Sequence, residues 1–352
     1  MKRGLAFAKY STLAASTRQR IVQATPYLEQ AGIALDIHPL FDNDYLARLF
    51  SGQRRTAVGV VSAYIKRVAD LLNTRDHDFL WVHCELFPYL PGFVERLIGM
   101  SGKPVVYDFD DAIFHQYDQH PKPLVRAMLG NKLAPLLRRT DIAFCGNAYL
   151  RTYASQYCVR TELIPTTLDT SVYTPRALCA PGDTVTAGWI GSPSTWRYCD
   201  ALTAVLESFV STPGRAVLVV GAQHAAPSRS SFEFRDWSEA NEIADIHRMD
   251  IGIMPVPDEP WARGKCGYKL IQYMACGIPV VASPVGVNCE IVQHGVNGFL
   301  ASTDQEWREA LDRLANDDAL RQRMGQAGRA RAEVDYSIQR YGPYMAHLIN
   351  SL

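Results

Sequence analysis

The sequence predicts an α/β protein in which two doubly wound parallel sheets follow one another along the chain. Three observations carry this expectation. Short apolar runs alternate with amphipathic stretches from end to end, the pattern of a parallel sheet covered by helices on both faces. The alternation stops at a stretch rich in breaker residues and then restarts. The chain has 352 residues, more than one ordinary domain needs, and 47% are hydrophobic, enough for a core in each half.

In the first half, strands are expected at 5–8, 34–37, 79–83, 105–107 and 142–145. Amphipathic stretches 16–31 and 60–72 lie between them, and Pro26 predicts a kink or a restart in the first. The linker is expected at 174–184, because Pro175, Pro181 and Gly182 break regular structure. It divides the chain into domains 1–175 and 176–335, with 336–352 as a last helix that is a candidate to pack back on the first domain. In the second half, strands are expected at 185–190, 216–220, 232–234, 251–254 and 280–282. The clearest helices there are 202–209 and 268–276, and 305–314, 319–333 and 338–352 also read as helices. Ligands of open parallel sheets bind outside the carboxyl ends of the strands. Two such sheets facing each other predict a cleft between domains, with functional residues in the strand-to-helix loops.

Composition narrows the function classes. Lys+Arg and Asp+Glu are equal at 36 each, so the balance gives no support to a nucleic-acid partner. The eight cysteines, Cys84, Cys145, Cys158, Cys179, Cys199, Cys266, Cys276 and Cys289, form no CxxC pair. Several lie in apolar runs, which predicts buried free thiols rather than a zinc site or a disulfide framework. The N-terminus lacks a signal-peptide core, and no stretch approaches the ~20 apolar residues of a spanning helix. A cytoplasmic protein is the expectation.

The most informative stretch is 269–288, KLIQYMACGIPVVASPVGVN, which reads as helix, stop, buried strand and glycine-containing loop. Gly277 and Pro279 supply the stop, since glycine accepts the left-handed conformation after a helix and proline cannot continue one. Met274-Ala275-Cys276-Gly277, Pro279 to Ser283, Gly286, Glu290, Gly295 and Gly298 follow in order. This run resembles the donor-binding region of retaining glycosyltransferases of family four, the glycosyl transferases group 1. The resemblance implies a GT-B fold, two Rossmann-like doubly wound domains facing an interdomain cleft. It also implies transfer of a sugar from a nucleotide-sugar donor to an acceptor hydroxyl, with retention, in glycan or glycolipid synthesis. No cofactor and no metal are implied beyond that donor.

Two departures from the family pattern stand out. Gln272 occupies the position of the glutamate that receives the ribose hydroxyls, and Gly264 occupies that of the earlier glutamate. Lys265 and Lys269 flank the helix start instead, where free backbone N–H groups and positive charge suit a diphosphate. A solvated helix face is the alternative for Lys269. Gly286, Val287, Asn288 and Glu290 complete the donor candidates on this stretch.

A second similarity lies in the loop from Trp189 to Arg197, where the family often reads GRxxxxKG. Gly191 fits a close approach of backbone to phosphate, Ser192 replaces the arginine, and Arg197 falls where the lysine stands. Ser194 or Thr195 is expected to cap the helix that follows. The segment Leu163 to Asp169 resembles the family's IPNGVD segment. In the first half, Ser16, Thr17 and Arg18 follow the first strand as acceptor candidates, with Ser16 or Thr17 as a helix cap. Arg18 and Arg20 suit an anionic acceptor or a donor phosphate, with a solvated first turn as the alternative. Asp110 and Asp111 follow the strand at 105–107 as catalytic candidates, since a carboxylate there can accept the acceptor hydroxyl's proton. A helix N-cap network is the alternative. Glu85 is a further acceptor candidate.

Between Asp118 and Asp141 the chain carries Lys122, Arg126, Lys132, Arg138 and Arg139 interleaved with leucines, and no acidic residue. Such a segment, 120–139, suits peripheral contact with an anionic membrane and a lipid-linked acceptor, or else ordinary packing on the sheet. Two rival functions remain, a nucleotide-sugar epimerase and a non-catalytic carbohydrate- or nucleotide-binding relative. A dinucleotide oxidoreductase is disfavoured, because no GxGxxG follows the first strand.

Overall fold

The computed structural model describes residues 1–50, 57–176, 184–223 and 231–352. Much of the expected linker, Pro181 and Gly182 included, lies outside the described residues, as does Cys179. The chain forms two compact units. The first comprises Met1–Thr167, Arg263–Cys266 and Ile338–Leu352; the second comprises Leu168–Ala262 and Gly267–Ser337.

Among the described residues each unit holds a six-stranded, all-parallel sheet. In the first unit the strands are β1 (Lys2–Tyr10), β2 (Ile33–Phe41), β3 (Phe79–His83), β4 (Val105–Phe109), β5 (Ile142–Cys145) and β6 (Thr161–Leu163), in the order β2-β1-β3-β4-β5-β6. The strand order reverses between β1 and β3, so the first unit's switch point lies at their carboxyl ends. All five residues of β3 and of β4 are buried, as two-sided coverage by helices requires. The expected break at Pro26 is present: helix Ala15–Arg20 ends, a short 3₁₀ turn follows, and Thr25–Gln30 restarts with proline in its first turn. The last helix, Ile338–Asn350, belongs to this unit, and Ile338, Met345, Leu348 and Ile349 are buried in its core with Ile21 and Leu28.

The second sheet contains β7 (Val185–Ile190), β8 (Arg215–Val220), β9 (Glu233–Arg235), β10 (Ile251–Met254), β11 (Val280–Ala282) and β12 (Gly298–Leu300). Its order is β12-β11-β10-β7-β8-β9, so the reversal falls between β7 and β10. One apolar cluster covers each face, with Tyr273 and Met274 in one and Trp189, Trp196 and Trp307 in the other.

All seven described cysteines are free, and only Cys289 is exposed. The basic and apolar residues of 120–139 do not share one face. Leu133, Leu136 and Leu137 pack inside, and Lys132 is buried, while Leu124 and Met128 are exposed on helix Pro123–Leu129. Among the described residues no helix is long and apolar enough to cross a membrane.

Candidate functional site

In the second unit, the switch point is built from bare backbone and one ammonium group. Gly191 follows β7, and a Cβ there would lie 2.6 Å from the Trp189 ring and 2.7 Å from Lys269 Cε. Gly221, after β8, has a φ of +89°, and its Cβ would fall 2.2 Å from Gly191 O. Only glycines let these two loop backbones and the lysine come together. Lys269 lies in the first turn of helix Tyr268–Ala275, with Nζ 5.5 Å from the Trp189 ring centroid. Gly267 starts that helix in the left-handed region at φ +65°. The half-buried ammonium therefore stands at a helix start, an arrangement that favours anions.

The other donor candidates separate into distinct roles. Gly286 is exposed at φ +54° and Glu290 is exposed, whereas Val287 and Asn288 are buried. Asn288 donates to Ser283 O at 3.0 Å, tying the loop after β11 to its strand. Ser192 is exposed and its hydroxyl pairs with Ser194 at 2.9 Å. Neither Ser194 nor Thr195 caps the following helix; Thr195 donates to Ser192 O instead. Arg197 is turned to Tyr198, to which it donates at 2.9 Å, and to Glu259 at 3.8 Å.

Gln272 is not placed to receive a ribose. It is buried, and its Nε2 donates to Glu242 Oε1 at 2.8 Å and to the Tyr173 hydroxyl at 3.3 Å. Glu242 also accepts from Tyr173 and from Trp237 Nε1. A carboxylate at 272 would face another carboxylate, so glutamine, a donor, fits where the family's glutamate does not.

In the first unit, the carboxyl ends of β3, β4 and β5 gather a polar cluster. His83 pairs with Asp108 across the ladder, and its Nδ1 lies 3.2 Å from Asp108 Oδ2. Arg20 is buried, donating from Nε to Asp108 at 3.1 Å and from Nη1 to Ile164 O at 2.7 Å. Burial would raise the Asp108 carboxyl, but Arg20 and His83 hold it below its ordinary value. Asp110 and Asp111 come next, both half-buried. Burial pushes the Asp110 carboxyl up, with His83 and Arg20 acting against it.

The short segment Arg263–Cys266 packs here as part of the first unit. Asn147, which caps helix Ala148–Ala154, donates to Gly264 O at 2.9 Å and to Lys265 O at 3.0 Å. Cys266 Sγ donates to Asp110 O at 2.8 Å, and Lys265 Nζ lies 4.0 Å from Asp111 Oδ1. Lys265 thus stands beside the catalytic candidates. A Cβ at Gly264 would lie 2.2 Å from Ala112 Cβ, so the glutamate of the family pattern has no room.

Three acceptor candidates are occupied within the fold. Thr17 is buried and donates to Tyr10 O at 2.8 Å, and neither it nor Ser16 caps helix Ala15–Arg20. Arg18 turns back on its own loop, donating to Thr12 O at 2.7 Å and Leu13 O at 3.0 Å. Glu85 is fully buried, 3.5 Å from Lys9 and 3.7 Å from Lys132, and accepts from the Tyr117 hydroxyl at 2.6 Å. Ser16 stays half-buried at the helix start.

Residues 232–331 match the family described as Glycosyl transferases group 1. Solved structures resemble the whole chain, two of them as follows. HepE of Anabaena in complex with UDP and glucose is 17% identical, with a TM-score of 0.71 over 100% of both chains. Sucrose-phosphate synthase of Thermosynechococcus elongatus is 17% identical, with a TM-score of 0.69 over 100% of this chain and 99% of that one. The fold is therefore the two-domain α/β GT-B fold. A curated relative, D-inositol 3-phosphate glycosyltransferase of Thermobifida fusca, is 27% identical over 191 residues. That match covers 46% of this chain, and the chain spans 43% of the relative's length.

Proposed function

We propose that the protein is a glycosyltransferase that moves a sugar from a nucleotide-sugar donor to an acceptor hydroxyl. The observation that carries the proposal is the second unit's switch point, where Lys269, the bare backbone of Gly191 and a helix start converge. A pyrophosphate needs that combination of N–H donors, positive charge and close backbone approach. The family match over 232–331 and the complex of HepE with UDP support the same reading. Asp110 is the proposed proton acceptor, with Asp111 and Lys265 beside it. Retention of anomeric configuration is part of this proposal, and the resemblance to family four supports it. A lipid-linked acceptor suits the exposed Leu124 and Met128 near Lys122 and Arg126, as a peripheral membrane contact.

Calorimetric titration with UDP, GDP, ADP and their sugars tests the donor site, and product analysis against an acceptor panel tests transfer. One nucleotide should bind and its sugar should be transferred or slowly hydrolysed. Tight binding with no turnover on any donor would favour a non-catalytic carbohydrate- or nucleotide-binding relative. That second reading draws support from Gly264 and Gln272, which leave both family glutamates unreplaced in kind.

A further inference from the structure

We propose that His83, Cys84 and Asp110 form a binding site for a transition-metal ion of zinc's class. One ligand atom from each lies within 4.8 Å of the others. Cys84 Sγ stands 3.5 Å from His83 Nε2, the separation of about 3.5 Å that a tetrahedral ion imposes on a sulfur and a nitrogen ligand. Asp108 engages Nδ1 of the same ring at 3.2 Å, leaving Nε2 for a ligand. A carboxylate behind a histidine is the usual support of a metal-bound imidazole. Arg20 holds Asp108 from its other side, so Asp108 positions and does not ligate.

The backbone is fixed around this geometry. Cys84 follows β3 at φ +65°, a left-handed conformation that costs a non-glycine residue about 1–3 kcal/mol. Its N–H donates to Asp108 O at 2.8 Å and its carbonyl accepts from the Tyr107 hydroxyl at 2.8 Å, which maintain the strain. On the third ligand's side, Cys266 Sγ holds Asp110 O. Gly146 allows that approach, since a Cβ there would lie 2.3 Å from Cys266 Sγ and 3.1 Å from Asp110 Cα.

The donor set selects the ion. One thiolate, one imidazole and one carboxylate suit zinc or cobalt, whereas magnesium and calcium take oxygen ligands. Binding replaces the thiol S–H and imidazolium Nε2–H bonds with sulfur–metal and nitrogen–metal bonds and releases both protons to solvent. The ion's two positive charges and the Arg20 guanidinium then balance the Cys84 thiolate, Asp108 and Asp110. A metal on Asp110 and proton acceptance by Asp110 are exclusive states of that carboxylate, so the bound ion should suppress the transfer proposed above.

Cobalt(II) titration of the full, chelator-treated chain tests this directly. One equivalent should give the thiolate-to-cobalt charge-transfer band and the d–d bands of a four-coordinate ion, and zinc should abolish both. Cys84→Ser should lose the charge-transfer band, while Cys289→Ser should keep it. Asp108→Asn should weaken binding by about 10–100-fold. Circular dichroism separates loss of ligand from loss of fold, and a folded Asp110→Asn chain should show altered d–d bands. No band in the wild-type chain, or an unchanged spectrum in folded Cys84→Ser, overturns the site.

Discussion

The Lys269 ammonium is placed by contacts that leave it little choice: Trp189 below, the Gly191 backbone beside it, a helix start behind it. Lys269→Ala keeps those neighbours and removes the charge. A hydrogen bond to a charged group contributes about 1.5–3 kcal/mol, so nucleotide affinity should fall about 10–100-fold while the melting temperature of the free protein stays nearly constant. Calorimetry beside a thermal melt separates the two quantities. Gln272 makes the opposite case, a family position whose residue is structural. Gln272→Glu puts a second carboxylate where Glu242 Oε1 now accepts at 2.8 Å, replacing a hydrogen bond by repulsion. Breaking such a buried contact costs about 1–3 kcal/mol. Melts should show this loss at neutral pH and a smaller loss in acid, where the two carboxyls share a proton. A gain in stability or in nucleotide affinity at neutral pH would show that Gln272 was wrongly placed.

Among the elements, the loop after β3 is held by a buried ion-pair network. Glu95 accepts from the N–H of Leu86 and of Phe87, and from Lys132, which also donates to Phe87 O at 2.7 Å. Lys132→Met would strand Glu95 without its buried partner, at a cost of about 3–5 kcal/mol. Lys132→Met with Glu95→Gln removes the orphaned charge and keeps an acceptor for one of the two N–H groups, so its melting temperature should lie above that of the single variant and below that of the wild type. Nothing in the local sequence announces this network, because Glu95 and Lys132 are distant along the chain. Strands were legible where burial on both faces writes a continuous apolar run: 79–83, 142–145, 185–190, 251–254 and 280–282 coincide with β3, β5, β7, β10 and β11. The edge strands β6 and β12 span three residues each and left no such run. The site divides the same way. Acids at a strand end and glycines before helices are visible as spelling, which is how Asp110 and Gly191 enter the candidate site. Arg20 with Asp108, and Asn147 with Gly264, exist only once the sheet brings them together. Asn147 did carry a signal, an asparagine between a strand and a helix, which marks a cap.

At the scale of the whole molecule, the two units are not two halves of the chain. The first unit begins the sequence, yet its fold ends with Ile338–Leu352, after the second unit is complete. Ile338, Met345, Leu348 and Ile349 bury about 1.5–3 kcal/mol of apolar contact each in that first core. Together they rival the net stability of an ordinary domain, about 5–15 kcal/mol. Lys2 Nζ also donates to Ile349 O at 2.7 Å, and a Cβ at Gly342 would strike Tyr27 at 2.4 Å, so helix and sheet fit closely. A chain ending at Ser337 should therefore lose the first unit's order while the second keeps its own core. Hydrogen exchange should show β1, β3 and β4 exchanging fast and β7, β10 and β11 still protected. The nucleotide that binds the intact chain should still slow exchange at Gly191 and around Lys269, because the proposed pyrophosphate contacts lie wholly within the second unit. Uniform loss of protection across both sheets would mean that the second core depends on the first. Protection retained in β1 and β3 would mean that the terminal helix only covers a core already complete without it.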